Sequence, residues 1–175
     1  MRRCAGDGLL NPELPGPKEP PGLEFLMQIV VEFEAPHAIS GGPLGTRRIL
    51  HVRRGSFEGP ALQGTVMPGG GDWVLMRRDG AAELDIRFTL KTAADEIVYL
   101  RSMGLFVASE AVSARIRRAE AVDRAEYYFR TSILFEADSA RLARLNRMLH
   151  LGVGCRTATG MATDVFAIKG IGSIA

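Results

Sequence analysis

Four side chains of this 175-residue sequence have the types that acid/base work on a small molecule needs: Asp72, Asp85, Arg87 and Arg130. A carboxylate takes and returns a proton when its surroundings bring its pKa toward the working pH, and a guanidinium beside a developing oxyanion stabilises it. Two of the four stand two positions apart in "ELDIRFTL", residues 83–90, where Leu84, Ile86, Phe88 and Leu90 alternate with Glu83, Asp85, Arg87 and Thr89. A period of two is the mark of a strand, so Asp85 and Arg87 leave the same face. Two placements satisfy the alternation equally. In one, the apolar residues fill the core and the polar ones are wet. In the other, the apolar face packs outward against a helix, a second sheet or another subunit, and Asp85 and Arg87 project into a lumen. A lumen holding all four charges would be electrostatically coupled. Arginine would keep a partner aspartate ionised, and a carboxylate without such a partner in an apolar pocket would have a raised pKa. Base and acid roles would then divide between Asp85 and Asp72, with Arg87 or Arg130 steadying an oxyanion. An ion-pair plug that simply fills the interior uses the same residues.

Other chemistries find no footing. The sequence has no G-x-S-x-G elbow, no G-x-x-x-x-G-K-[ST] loop and no strand followed by G-x-G-x-x-G and a helix. "GGPLGT" and "PGGGDW" are glycine-rich but lack the lysine and following helix of a phosphate cradle. His37, His51 and His150 are scattered, and Cys4 and Cys155 have no redox-type or metal-type neighbour, so no metal site is expected. The basic and acidic residues nearly balance at 22 against 20, for a net charge of +2, and the arginine pairs fall in separate segments. Nucleic-acid readers concentrate such charge, so none is expected as a partner. No apolar run approaches the roughly 18 residues that span a bilayer, and "MRRCAGDGLL" is a poor signal peptide. The expectation is a cytoplasmic chain without membrane association and without a cofactor.

The elements that must hold these residues are short and mostly extended. "NPELPGPKEPPG", residues 11–22, carries five of the nine prolines, so residues 1–22 read as an extended or disordered extension, and Met27 offers an alternative start to Met1. From Leu23 the sequence predicts strands near 24–34, 46–55, 62–67, 73–78, 81–91, 95–103, 126–136, 147–154 and 161–168. Asp79-Gly80 marks a hairpin joining 73–78 to 81–91, "TAAD" at 92–95 marks the next, and "SGGPLG" and "MPGGG" read as loops. Helix is favoured around 109–126 and, as a short turn capped by Asp138 or Ser139, over 138–146, with Leu142 and Leu145 facing the body. The predicted fold is mainly β: a single antiparallel β-barrel of about eight to nine strands with one or two short helices, spanning 23–169 and followed by a flexible C-terminus at 170–175.

Several blocks, "GTRRILHVRRGSFEGPALQGTVMPGGGDW", "DGAAELDIRFTL", "YYFRTSILFEA" and "LNR" followed by "GVG", occur in an order that resembles the bacterial and fungal family known as domain of unknown function 3237. The resemblance covers Leu23 to Ile168 and implies a compact barrel-like β-domain; it implies little about chemistry. Matching positions include Arg47, Asp72-Trp73, Asp85, Arg87, Phe129-Arg130 and Asn146. Leu142 and Arg144 stand where relatives often carry an aromatic pair, and Ala137 replaces a usual threonine. Because the resemblance specifies Asp72, Asp85, Arg87 and Arg130 by type, it tips the alternation toward the lumen placement. The candidate catalytic residues are thus Asp85, Arg87, Asp72 and Arg130. Trp73, Glu83, Arg47, Phe129 and Asn146 are candidate ligand-binding residues.

Three functional classes remain: a cofactor-independent acid/base enzyme of isomerase, cyclase or lyase type on a small organic molecule, a non-catalytic binder of lipocalin-like habit, and a scaffold whose apolar strand face meets a partner, a homo-oligomer included. A lumen of roughly several hundred Å³ with convergent polar groups favours the first two, and a filled one the third.

Overall fold

A computed structural model describes residues 20–170. The proposed extension over 1–22 and the C-terminus at 170–175 fall almost wholly outside those residues.

Ten strands appear in chain order: β1 (Leu23–Phe33), β2 (His37–Gly42), β3 (Gly45–Glu58), β4 (Gln63–Val66), β5 (Gly71–Met76), β6 (Ala82–Thr92), β7 (Ile97–Ala108), β8 (Tyr127–Ala137), β9 (His150–Arg156) and β10 (Gly160–Ile168). Every pairing is antiparallel. The ring runs β1-β10-β9-β8-β7-β6-β4-β3 and closes through β1 and β3, giving an eight-stranded barrel. Two strands lie off that ring: β5 bridges β3 and β6 beyond the end of β4, and β2 pairs with the start of β3. The sequence did not predict β2. Its residues are almost all exposed, so no buried face writes an alternation into "HAISGG".

The interior is apolar. Leu84, Ile86, Phe88 and Leu90 of β6 are all buried and join Met27, Val31, Leu100, Ile133 and Val165 in one core. The alternation in "ELDIRFTL" is therefore that of a barrel wall with its apolar face inside, and the placement of Asp85 and Arg87 in a lumen is corrected. Burying two charges would cost several kcal/mol each, whereas the apolar side chains gain about 1.5–3 kcal/mol apiece by leaving water.

The two ends of the barrel are closed differently. At one end the β6–β7 turn is tied to a 3₁₀ helix over Ala140–Arg147, whose Leu142 and Leu145 are buried. Ser139 caps that helix, its Oγ accepting from the Leu142 N–H, and Ser139 Oγ also donates to Glu96 at 2.7 Å. Arg141 ion-pairs with the same carboxylate, and these partners hold Glu96 down at about 2. Leu142, at a position that departs from the resembling family, is thus core at this end. At the other end β7 runs into helix α1 (Glu110–Arg117), capped by Ser109, whose Oγ accepts from the Val112 N–H. The helix is shorter than the span expected from sequence because Ala119 turns to a φ of 57° just beyond it.

Candidate functional site

A cavity lies inside the barrel at the α1 end. Its volume of about 150 Å³ is smaller than the lumen expected from sequence, because the apolar side chains fill most of the interior, and its walls include Leu50, Val74, Leu84, Phe106, Phe129 and Met161. Five polar groups interrupt this apolar surface: Asp72 from β5, Arg48 from β3, Arg156 from β9, and Ser113 and Arg117 from α1.

Asp72 reaches the interior because of the glycines before it. A side chain on Gly70 would lie 2.4 Å from the Arg87 carbonyl oxygen, and one on Gly71 would lie 2.5 Å from that of Leu50. Only bare backbone lets β5 wedge between β3 and β6 here. Asp72 then pairs with Leu50 and Ile86, both inward positions, and is 4% exposed. Its Oδ1 accepts the Asp85 backbone N–H at 3.2 Å. Burial pushes the Asp72 carboxyl up to about 7; the Asp85 N–H opposes this, the Asp85 charge adds to it, and Arg156 offsets part of it.

Arg48 shares the inward face of β3 with Leu50 and Val52 but stands at the rim, where it is exposed. Arg156 occupies the corresponding end of β9, beyond Gly152 and Gly154 on the same face. A side chain on Gly154 would meet the Phe129 ring at 2.4 Å, so that glycine lets the ring lie against β9 and wall the cavity. The Arg156 backbone N–H donates to Tyr127 Oη at 2.9 Å. Burial and the nearby Arg48 lower the Arg156 pKa, while Tyr127 and Asp72 raise it. Among the described residues neither Arg48 nor Arg156 has a side-chain hydrogen bond or an ion-pair partner, whereas Arg117 is paired with Glu110 at 2.6 Å.

Of the residues singled out from sequence, Asp72 and Phe129 line this cavity. Asp85 and Arg87 sit on the outer face, 3.0 Å apart and both partly exposed. Arg87 lies over the Trp73 ring at 5.6 Å. Trp73 is half-buried there, on the face opposite Asp72. Arg47 donates to the Trp73 carbonyl at 2.8 Å. Glu83 is exposed and bridges to Arg77. Arg130 donates to its neighbour's carbonyl and lies over Tyr128, also outside. Asn146 serves the backbone at the far end, accepting from Ala137 N–H and donating to Ala137 O. The expected gathering of four charges is thus corrected to one, Asp72, because Asp85, Arg87 and Arg130 have the outward parity of their strands.

Arg48 and Arg156 were missed. Their parity was legible: Arg48 falls two before Leu50 in "RRILHV", and Arg156 two after Gly154. What sequence lacked was the register that brings the two strand ends to one mouth. Among the described residues, no three His, Cys, Asp or Glu side chains gather as a metal ion would require.

A family model described as "Protein of unknown function (DUF3237)" matches residues 21–168. A UPF0311 protein of Rhodopseudomonas palustris is 27% identical over 150 residues, 85% of this chain and 98% of its own. A crystal structure of a conserved protein of unknown function from the same organism matches with a TM-score of 0.78 at 26% identity, over 85% of this chain and 98% of that one. A β-barrel-like protein from Acinetobacter baumannii matches with a TM-score of 0.76 at 27% identity, over 89% of this chain and 100% of that one. A structure described as an enzyme from Penicillium herquei shares the fold with a TM-score of 0.68 at 16% identity, over 89% of this chain and all of that one.

Proposed function

The chain belongs to the DUF3237 family of proteins of unknown function, and we propose that it is a small-molecule-binding barrel that performs cofactor-independent acid/base chemistry in the α1-end cavity. The observation that carries this reading is Asp72: a buried carboxyl facing an apolar cavity, with its pKa brought to about 7. A general base works best when its pKa lies near the working pH, because it is then partly ionised and still basic enough to take a proton.

The reaction class follows from the groups present. Asp72 removes a proton from a carbon next to a substrate carbonyl, the C–H electron pair forms a carbon–carbon double bond, and the carbonyl π pair moves onto the oxygen. Arg156, close enough to lower the Asp72 pKa, stabilises that oxyanion. The protonated Asp72 then returns the proton to a different atom of the same molecule. Atoms and charge balance within the substrate, as in an isomerisation or ring closure, and no redox partner is required. Phe106 and Phe129 give Asp72 an apolar wall, which strengthens its interaction with charge that develops beside it, while Arg156 meets the oxyanion from the exposed mouth.

The role given to Asp85, Arg87 and Arg130 by sequence passes to Asp72, Arg48 and Arg156. One fold neighbour is described as an enzyme, which agrees with a catalytic use of the architecture. The experiment is solvent exchange: candidate carbonyl compounds are incubated with the protein in D₂O and deuterium incorporation is followed by NMR. Asp72→Asn should lower the exchange rate by roughly 10² to 10⁴-fold, the usual worth of a general base. A variant that exchanges as fast as the parent contradicts the assignment.

A further inference from the structure

Resting on that acid/base reading, we propose that the molecule taken by the cavity is a small arylalkyl carboxylate, its ring lying against the wall that Phe106 and Phe129 form edge to face, 5.8 Å between centroids, and its carboxylate bound at the mouth by Arg48 and Arg156.

The size comes from the cavity. Its volume of about 150 Å³ is that of an apolar hole known to admit a benzene ring. The wall is aliphatic and aromatic, so a ring loses water on entering without leaving a polar atom unpaired.

The charge comes from the mouth. Several surface arginines are ion-paired: Arg54 with Glu32, Arg77 with Asp79 and Glu83, and Arg115 with Glu120 and Glu126. Arg53 and Arg147, like Arg48 and Arg156, lack such partners among the described residues, but of these four only Arg48 and Arg156 line the cavity. Arg48 and Arg156 have no such partner among the described residues, although they stand near enough for Arg48 to lower the Arg156 pKa. Two like charges held together unneutralised are unfavourable, and an anion between them removes the repulsion and adds charge-assisted hydrogen bonds. Asp72 does not fill that place, for it makes no hydrogen bond to either guanidinium and its carboxyl is buried against β6. A planar carboxylate fits the guanidinium fork bidentately. The bond from the Arg156 backbone N–H to Tyr127 Oη fixes the strand end from which one fork is presented.

Asp85 lies behind the wall, paired with Arg87, and Arg117 on α1 is paired with Glu110. A bound carboxylate therefore meets two free cations and one carboxyl that is half protonated near neutrality.

The test is calorimetric titration of the full chain at pH 7 with phenylacetate, its neutral isostere phenylacetamide, and inorganic phosphate. Phenylacetate should bind at least about tenfold more tightly than either of the others, a tenfold ratio being 1.4 kcal/mol. Arg48→Gln, at an exposed position, should lose about tenfold in phenylacetate affinity and leave phenylacetamide unchanged. Arg48→Lys should fall between, because it keeps the charge but not the fork. Asp72→Asn should still bind phenylacetate, so failure of the carboxylate assignment is distinguishable from failure of the proton-transfer reading, which solvent exchange reports. Equal affinity for acid and amide, binding of phosphate as tight as that of phenylacetate, no saturation by phenylacetate below about 10 mM, or an unaltered Arg48→Gln would each overturn the proposal.

Discussion

The Asp85 backbone N–H donates to Asp72 Oδ1 at 3.2 Å, through the wall that separates their side chains. β5 and β6 pair at Gly71–Asp72 and again at Leu75–Met76, and between those points the Asp72 carboxylate takes the donor that a ladder carbonyl would otherwise receive. The two aspartates, one in the cavity and one outside, are thereby coupled. The N–H lowers the pKa of Asp72 and the Asp85 charge raises it.

Asp85→Asn should therefore move the Asp72 titration downward even though Asp85 is outside the cavity. The backbone donor stays and the like charge goes. The change in stability should stay within about 1 kcal/mol, since the Asp85–Arg87 bridge is half-exposed. NMR titration of the two carboxyls, with parallel thermal melts, measures both.

Asp72 also sets a pH dependence of folding. Its folded pKa of about 7 lies above the ordinary 3.8, so between those values the folded protein holds a proton that the unfolded chain has released. Stability contributed by this group is full below pH 4, falls as pH rises toward 7, and is flat beyond. Asp72→Asn keeps an acceptor for the Asp85 N–H and has no charge to bury. Its stability advantage over the parent should grow from pH 4 to pH 7, by about 4 kcal/mol at most. Urea melts at several pH values give the difference, in which the other carboxylates cancel.

Gly154→Ala should be destabilising by about 1–3 kcal/mol, the usual cost of overpacking. The added methyl meets the Phe129 ring, which lines the cavity, at 2.4 Å. Any ligand of the cavity should weaken in the same variant. Denaturant melts and ligand titration together separate this from a change confined to the surface.

Much of the barrel was legible because strands buried on one face carry their geometry as alternation. "ELDIRFTL" and "YYFRTSILFEA" each show buried residues at every second position, and both became long strands, β6 and β8. β2 had no such signal, since neither face is buried. The site was harder to read. Alternation shows which residues share a face but is silent about which face looks inward. Asp85 and Arg87 were placed in a lumen by a resemblance that specifies residue types and not directions. Asp72 was found, and the "PGGG" before it is now explained by close backbone approach at Gly70 and Gly71. Arg48 and Arg156 are 108 positions apart, on strand ends that only the closed ring brings to one mouth.

The chemistry proposed for the cavity depends on Asp72 being a titratable carboxyl at neutral pH that faces an apolar wall. The direct measurement is the carboxyl ¹³C chemical shift of Asp72 against pH, assigned by comparison with Asp72→Asn. An apparent pKa near 7 is the expected result, and it should rise when phenylacetate occupies the mouth, because a second anion then stands beside the carboxyl. A midpoint at the ordinary aspartate value near 4, unaltered by ligand, would show Asp72 to be solvated or fully paired and would contradict the account.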